Sequence, residues 1–329
     1  MADQIYLFIF GLLLLIKGGD WFVDGATAIA RKFHLPELLI GATVVSIGTT
    51  LPEVLVSATA AVGGNGSIAY GNAIGSIICN TALIAAITIA VKPGKVDKKT
   101  LVLPLCFFFT SAVFYALTAY IGGRFSRLTG IILLVIFVAY MAALLYNMKK
   151  TPATLELNPE DLENEDEASP LWKSILFLVA GAAVIAVGAD LLVDNGTKIA
   201  TALGVPDTVI ALTFVALGTS LPELVTAVTA LSKGHGALSL GNIIGANLFN
   251  LVLVSGMAIT INPFDVPAGT TVAGLNASLV IDIPVMFAVM LVMTVPALIK
   301  GKLSRWQGIT LLSIYAAFCI AQFVLPFIA

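Results

Sequence analysis

Residues 48–53 read Gly-Thr-Thr-Leu-Pro-Glu, and residues 218–223 read Gly-Thr-Ser-Leu-Pro-Glu. The offset between the copies (223 − 53 = 170) holds without a gap from Asp20 and Asp190 to Asn80 and Asn250. Each copy sets a carboxylate inside a stretch that is otherwise apolar enough for a bilayer. A charge is costly there, so an intramembrane Glu marks a functional position. Two of them, related by an internal duplication, point to a transporter whose halves share one site.

The composition sets the solvent. Of the 329 residues, 59% are hydrophobic and only 11% charged, where a soluble domain carries roughly 25% charged residues. With a mean hydropathy of +1.02, the chain reads as an integral membrane protein whose main partner is the lipid bilayer. A net charge of −2 without a basic patch gives no footing for nucleic acid, and no protein partner is implied. Cys79, Cys106 and Cys319 lie in apolar runs with no ligand spacing, so they are expected to be buried thiols rather than disulfides or metal ligands. Asp3 is the only charge before the apolar run 5–16. A signal peptide would be positive there, so this segment reads as the first span.

A span needs about 20 apolar residues. Ten such stretches occur, near 4–28, 36–61, 69–91, 100–121, 128–148, 171–196, 206–231, 239–261, 278–299 and 306–327. The expected fold is therefore all-α, with ten transmembrane helices in two five-helix repeats: residues 1–150, an acidic linker at 151–170, and residues 171–329. The later part of the duplication drifts, because Gly123–Arg127 matches Gly301–Arg305 at an offset of 178 (305 − 127). An odd number of spans per repeat makes the second copy enter from the opposite side, so the repeats are inverted. The basic residues test this independently. With the N-terminus outside, Arg31, Lys32, Lys92, Lys95, Lys98, Lys99, Lys149, Lys150, Lys173, Lys233, Lys300, Lys302 and Arg305 fall inside, against Arg124, Arg127 and Lys198 outside. That skew follows the positive-inside rule and predicts both termini outside the cell membrane.

The motif concentrates hard oxygen donors. Thr49 and Thr50 lie four and three residues before Glu53, on one helical face. Pro52 has no N–H, which leaves the Gly48 carbonyl without its helical donor. Gly218, Thr219, Ser220, Pro222 and Glu223 repeat the set. In the next span Asn72, Ser76 and Asn80 recur every four residues; the second copy has Asn242, Ala246 and Asn250. Carboxylate, hydroxyl and amide oxygens suit Ca²⁺ and Na⁺ rather than thiophilic metals. Asp20, Asp24, Asp190, Asp194 and Asp282 sit near span ends and read as interfacial.

These two segments resemble the alpha repeats of the cation/calcium exchanger superfamily, most of all its prokaryotic sodium/calcium exchangers. The resemblance covers nearly the whole chain, including Asp20-Trp21-Phe22-Val23. It implies an antiporter and no enzymatic cofactor. Glu53 and Glu223 would be the central calcium ligands, with Thr49 and Thr219 at the calcium site and its flanking sodium sites. Thr50, Ser220 and Ser76, with the backbone carbonyls of Ser46 and Ala216, would complete the sodium sites. Asn80 and Asn250 stand at further ligand positions of the same signature. Two departures stand out: Ala246 replaces a Ser of well-studied members, and Asn250 an Asp of many sodium-coupled ones.

An empty site with two ionised Glu is expensive to move through a low-dielectric barrier. One Ca²⁺ or two monovalent ions neutralise it, which favours exchange over leak. The resemblance assigns alternating access to spans one and six sliding across a fixed core. Protons in place of Na⁺ remain an alternative, since buried carboxylates can hold protons and Asn250 is neutral. A membrane hydrolase would need zinc-ligand histidines that the spans lack, and Pro-broken helices suit occlusion better than an open channel.

Overall fold

The computed structural model describes residues 2–33, 35–150, 170–203, 218–268, 271–272 and 274–328. Ten helical segments follow one another there: α1 (Ala2–Lys32), α2 (Glu37–Val62), α3 (Gly66–Val91), α4 (Lys98–Gly122), α5 (Arg127–Lys150), α6 (Leu171–Ala202), α7 (Leu221–Ser232), α8 (Gly236–Ile261), α9 (Ser278–Lys300) and α10 (Arg305–Ile328). Eight of them, α1 to α6 with α8 and α9, are long and apolar enough to cross a membrane. The protein is thus an all-α, multi-pass membrane protein. The first half of the expected seventh span, the carbonyl of Ala216 and nearly all of the acidic linker lie outside the described residues.

Contacts divide the chain into two units that cut across its sequence halves. Unit 1 is Met1–Thr49 with Leu144–Asn242, and unit 2 is Thr50–Ala143 with Ile243–Ala329.

Unit 1 is built on α1 and α6. A Cβ added at Gly11 would lie 2.9 Å from the Gly188 carbonyl, one at Gly18 2.8 Å from Ile185 N, and one at Gly25 2.5 Å from Leu178 N. As the α1 number rises its α6 partner falls, so the two helices run antiparallel. Gly11, Gly18 and Gly25 on α1, and Gly181 and Gly188 on α6, recur every seven residues. That spacing lays one seam of missing side chains along each helix and lets the backbones touch. Phe22, Val23 and Ala26 of α1 pack around the seam with Ile185 and Ala189 of α6 and Ala230 of α7.

Unit 2 repeats its own contacts at the offsets of the sequence duplication. Arg127 Nε donates to the Thr260 carbonyl at 3.1 Å, and Arg305 Nε to the Ala90 carbonyl at 2.8 Å. Val266 N–H bonds the Gly123 carbonyl, and Val96 N–H the Gly301 carbonyl, at 2.9 and 3.0 Å. Gly130 meets Thr260 of α8 as Gly308 meets Ala90 of α3, each too close to admit a Cβ. Each arginine caps a helix C-terminus, where bare carbonyls and the macrodipole favour a cation.

The cysteines correct one expectation. No disulfide joins them among the described residues, but only Cys79 is buried; Cys106 is exposed and Cys319 half-buried. In a membrane helix an apolar neighbourhood includes the lipid-facing side, so an apolar run does not place a thiol in the protein interior.

Candidate cation site

The two copies of the motif fold differently. In α2 the helix runs through Pro52 from Ser46 to Val62. In the second copy Thr219 and Ser220 form a turn, α7 starts at Leu221, and Glu223 falls in its first turn. Proline without an N–H is tolerated in a first turn, where that donor has no helical acceptor anyway. The carboxylate of Glu223 thereby sits at the positive end of α7.

Most of the candidate ligands are buried. Glu53, Glu223, Ser46, Asn80 and Asn250 are all 0% exposed, and Thr49, Thr50, Ser220 and Ser76 are buried. Thr219 is half-buried. In unit 1, Thr49 lies beside the Glu223 carboxylate, yet the carboxylate oxygens receive no well-formed hydrogen bond. Thr49 Oγ1 instead donates to Asn242 Oδ1 at 3.2 Å, with the Ser46 carbonyl at 3.5 Å. Ser46 Oγ bonds the Asn242 carbonyl at 2.9 Å and the Gly41 carbonyl at 2.6 Å.

In unit 2, Asn72 Nδ2 donates to the Glu53 carbonyl at 3.1 Å and to Ser57 Oγ at 2.9 Å. Ser57 is a buried partner that sequence reasoning did not single out. Thr50 Oγ1 and both side-chain polar atoms of Asn80 and of Asn250 are buried without a hydrogen-bond partner among the described residues. Orphaned buried polar atoms cost free energy, and a bound ion or water is one way in which they are satisfied.

Asn80 and Asn250 share a further feature. Each opens a π-helical turn, Asn80–Ala85 in α3 and Asn250–Val254 in α8. A third, Gly41–Val45, leads into Ser46. Such turns widen a helix and re-aim its carbonyls, and they cluster at functional sites. The sequence carries no spacing signal for them.

The other polar residues pair away from the motif. Lys233 Nζ reaches Asp24 at 2.7 Å and Asp20 at 3.3 Å. Burial pulls the Lys233 ammonium pKa down, but Asp24 and Asp20 more than offset it, and the net direction is up. His235 Nδ1 meets Glu37 at 2.6 Å, Lys198 meets Asp194 at 2.6 Å, and Gln322 Nε2 donates to Asp282 at 2.8 Å.

A model of the family described as "Sodium/calcium exchanger protein" matches residues 4–146 and 173–324. The chain belongs to the sodium/calcium exchanger family. Among its relatives is an uncharacterised membrane protein of Methanocaldococcus jannaschii, 38% identical over 94% of both chains. Another is the sodium/calcium exchanger MaX1 of Methanosarcina acetivorans, 31% identical over 96% of this chain and 97% of that one. A solved structure of the sodium-calcium exchanger NCX_Mj, soaked with Na⁺ and without Ca²⁺, superposes with a TM-score of 0.79 at 33% identity over 98% of each chain. The chain therefore shares the fold of NCX_Mj and covers nearly all of the length of both exchangers.

Proposed function

We propose that the protein is a secondary active antiporter that exchanges Ca²⁺ for Na⁺ by alternating access, with Glu53 and Glu223 as its central cation ligands. The observation that carries this reading is that both motif glutamates are fully buried in a chain with the exchanger family's fold. An ionised carboxylate is held in such surroundings only by compensating charge. No lysine or arginine is hydrogen-bonded or ion-paired to Glu223 among the described residues, which leaves that charge to a transported cation.

Thr49, Thr50, Thr219, Ser220, Ser76, Asn80 and Asn250 supply the remaining oxygens, with the carbonyls of Ser46 and Ala216. Ten transmembrane helices in two inverted repeats provide the frame. Its support is the antiparallel run of α1 against α6, which are equivalent in the duplication, and the repeated contacts of unit 2. The glycine seam of α1 and α6 gives a smooth pair suited to moving as one body. The basic residues favour both termini on the outer side of the cell membrane.

The test is ⁴⁵Ca flux into proteoliposomes under imposed sodium and proton gradients, applied separately. Uptake driven by an outward sodium gradient supports the reading. Uptake driven by a proton gradient alone, with sodium without effect, rejects Na⁺ as counter-ion.

A further inference from the structure

We propose that Asn242 is a positioning residue: it takes the single hydroxyl proton of Thr49 and so turns the Thr49 lone pairs toward the transported cation. This deepens the function proposed above and rests on Thr49 and Glu223 as cation ligands.

A threonine hydroxyl has one proton to donate and two lone pairs with which to accept. Three acceptors surround the Thr49 hydroxyl within unit 1: Asn242 Oδ1 at 3.2 Å, the Ser46 carbonyl at 3.5 Å, and the carboxylate of Glu223. Two of these, Glu223 and the Ser46 carbonyl, are themselves proposed ligands. A proton donated to either occupies a lone pair that a cation needs, and it aims the positive end of the O–H dipole into the site. Among the described residues Asn242 is the one acceptor outside the ligand set, so a proton parked there leaves all three ligand oxygens facing a cation lone-pair first.

The fold holds Asn242 for this task. It is 0% exposed, and its carbonyl is fixed by Ser46 Oγ at 2.9 Å. Beside it, Gly241 has no room for a side chain, since a Cβ there would run into the Leu38 carbonyl. That close approach pins α8 against the start of α2. The amide of Asn242 has no acceptor among the described residues. The equivalent amide of Asn72 donates to the Glu53 carbonyl and to Ser57 Oγ, while Ala227 stands at the position equivalent to Ser57. Asn242 is therefore retained for its oxygen, and its nitrogen is the sacrificed end.

The test is a double-mutant cycle on ⁴⁵Ca uptake in proteoliposomes with Asn242→Ala, Thr49→Val and the pair. Each single variant is expected to raise KM for Ca²⁺ about tenfold, the scale of one misdirected hydrogen bond, with Vmax little changed. The double variant is expected to match Thr49→Val alone, because without the hydroxyl there is no proton to park. A double variant near the product of the two singles, or an unchanged KM in Asn242→Ala, overturns the inference. An unchanged KM in Thr49→Val removes Thr49 from the ligand set and overturns both that assignment and the inference. An additive cycle with Thr49→Val impaired leaves the ligand assignment standing and sinks Asn242 alone. Asn242→Asp guards against misfolding of the alanine variant. It keeps an acceptor in place and is expected not to raise KM; a rise as large as that of Asn242→Ala would count against the proposal.

Discussion

Thr49 and Asn242 lie 193 positions apart in the chain, and a 3.2 Å hydrogen bond joins their side chains in the protein interior. One residue is the second of the motif in α2 and the other sits in the second copy's α8. The bond ties the duplicated halves of the sequence together inside a single structural unit, next to a motif glutamate. Four expectations test the site and its frame.

Replacing either glutamate by its neutral isostere removes half the carboxylate charge proposed to hold the cation. Glu53→Gln and Glu223→Gln should each reduce calcium uptake about a hundredfold or more, the scale of losing one partner of a buried ion pair. Both variants should still elute as folded protein from size-exclusion chromatography in detergent. Normal uptake by either variant removes that residue from the ligand set.

Ala246 is fully buried in α8, one turn before Asn250. Ala246→Ser adds a hydroxyl donor-acceptor at that level. It should lower KM for Na⁺ a few-fold, consistent with one added oxygen ligand of about 1 kcal/mol. Sodium titration of uptake reads the effect, and an unchanged KM means that the hydroxyl reaches no sodium site.

The glycine seam predicts a packing penalty. Gly25→Ala places a methyl 2.5 Å from Leu178 N, and Gly18→Ala places one 2.8 Å from Ile185 N. The obstructing atoms are backbone, so the helices must separate, at about 1–3 kcal/mol. Tm in detergent should fall for both. Gly71→Ala, where nothing lies within 4 Å of the added Cβ, should leave it nearly unchanged.

Lys233 bridges to α1 through Asp20 and Asp24. The pair with Asp24 is partly solvated, so Lys233→Ala should cost about 1 kcal/mol or less. The pH dependence follows from the direction of the shift. The folded-state pKa is raised above the ordinary lysine value of 10.5, so proton release favours the unfolded chain. The contribution is fully present below that value and is lost as pH rises through the raised one. The Tm difference between wild type and Lys233→Ala should therefore stay level from neutral pH to mildly alkaline pH and shrink only above the lysine range. A difference that vanishes near neutrality contradicts the bridge.

Much of the frame was legible because it is local. The apolar stretches at 69–91 and 100–121 became α3 and α4 almost unchanged, since length and apolarity suffice for a helix in lipid. The burial of Glu53 and Glu223 has a different source, the cost of a charge facing lipid. The start of α7 was not legible: identical Leu-Pro-Glu segments continue a helix at Pro52 and begin one at Pro222. Proline permits both outcomes, and the residues around it decide. Cys106 was misplaced because hydropathy does not separate the lipid-facing side of a helix from its protein-facing side.

The sequence by itself determined the solvent, the helices and the duplicated pair of carboxylates, because bilayer insertion depends on apolar length and a repeat is visible as text. Only the tertiary structure decided which acceptors surround the Thr49 hydroxyl, which acids Lys233 neutralises, and where the helix backbones touch. Those depend on distances of about 3 Å between residues far apart in the chain, and hydrogen-bond energy falls away too steeply with distance and angle for sequence spacing to specify it.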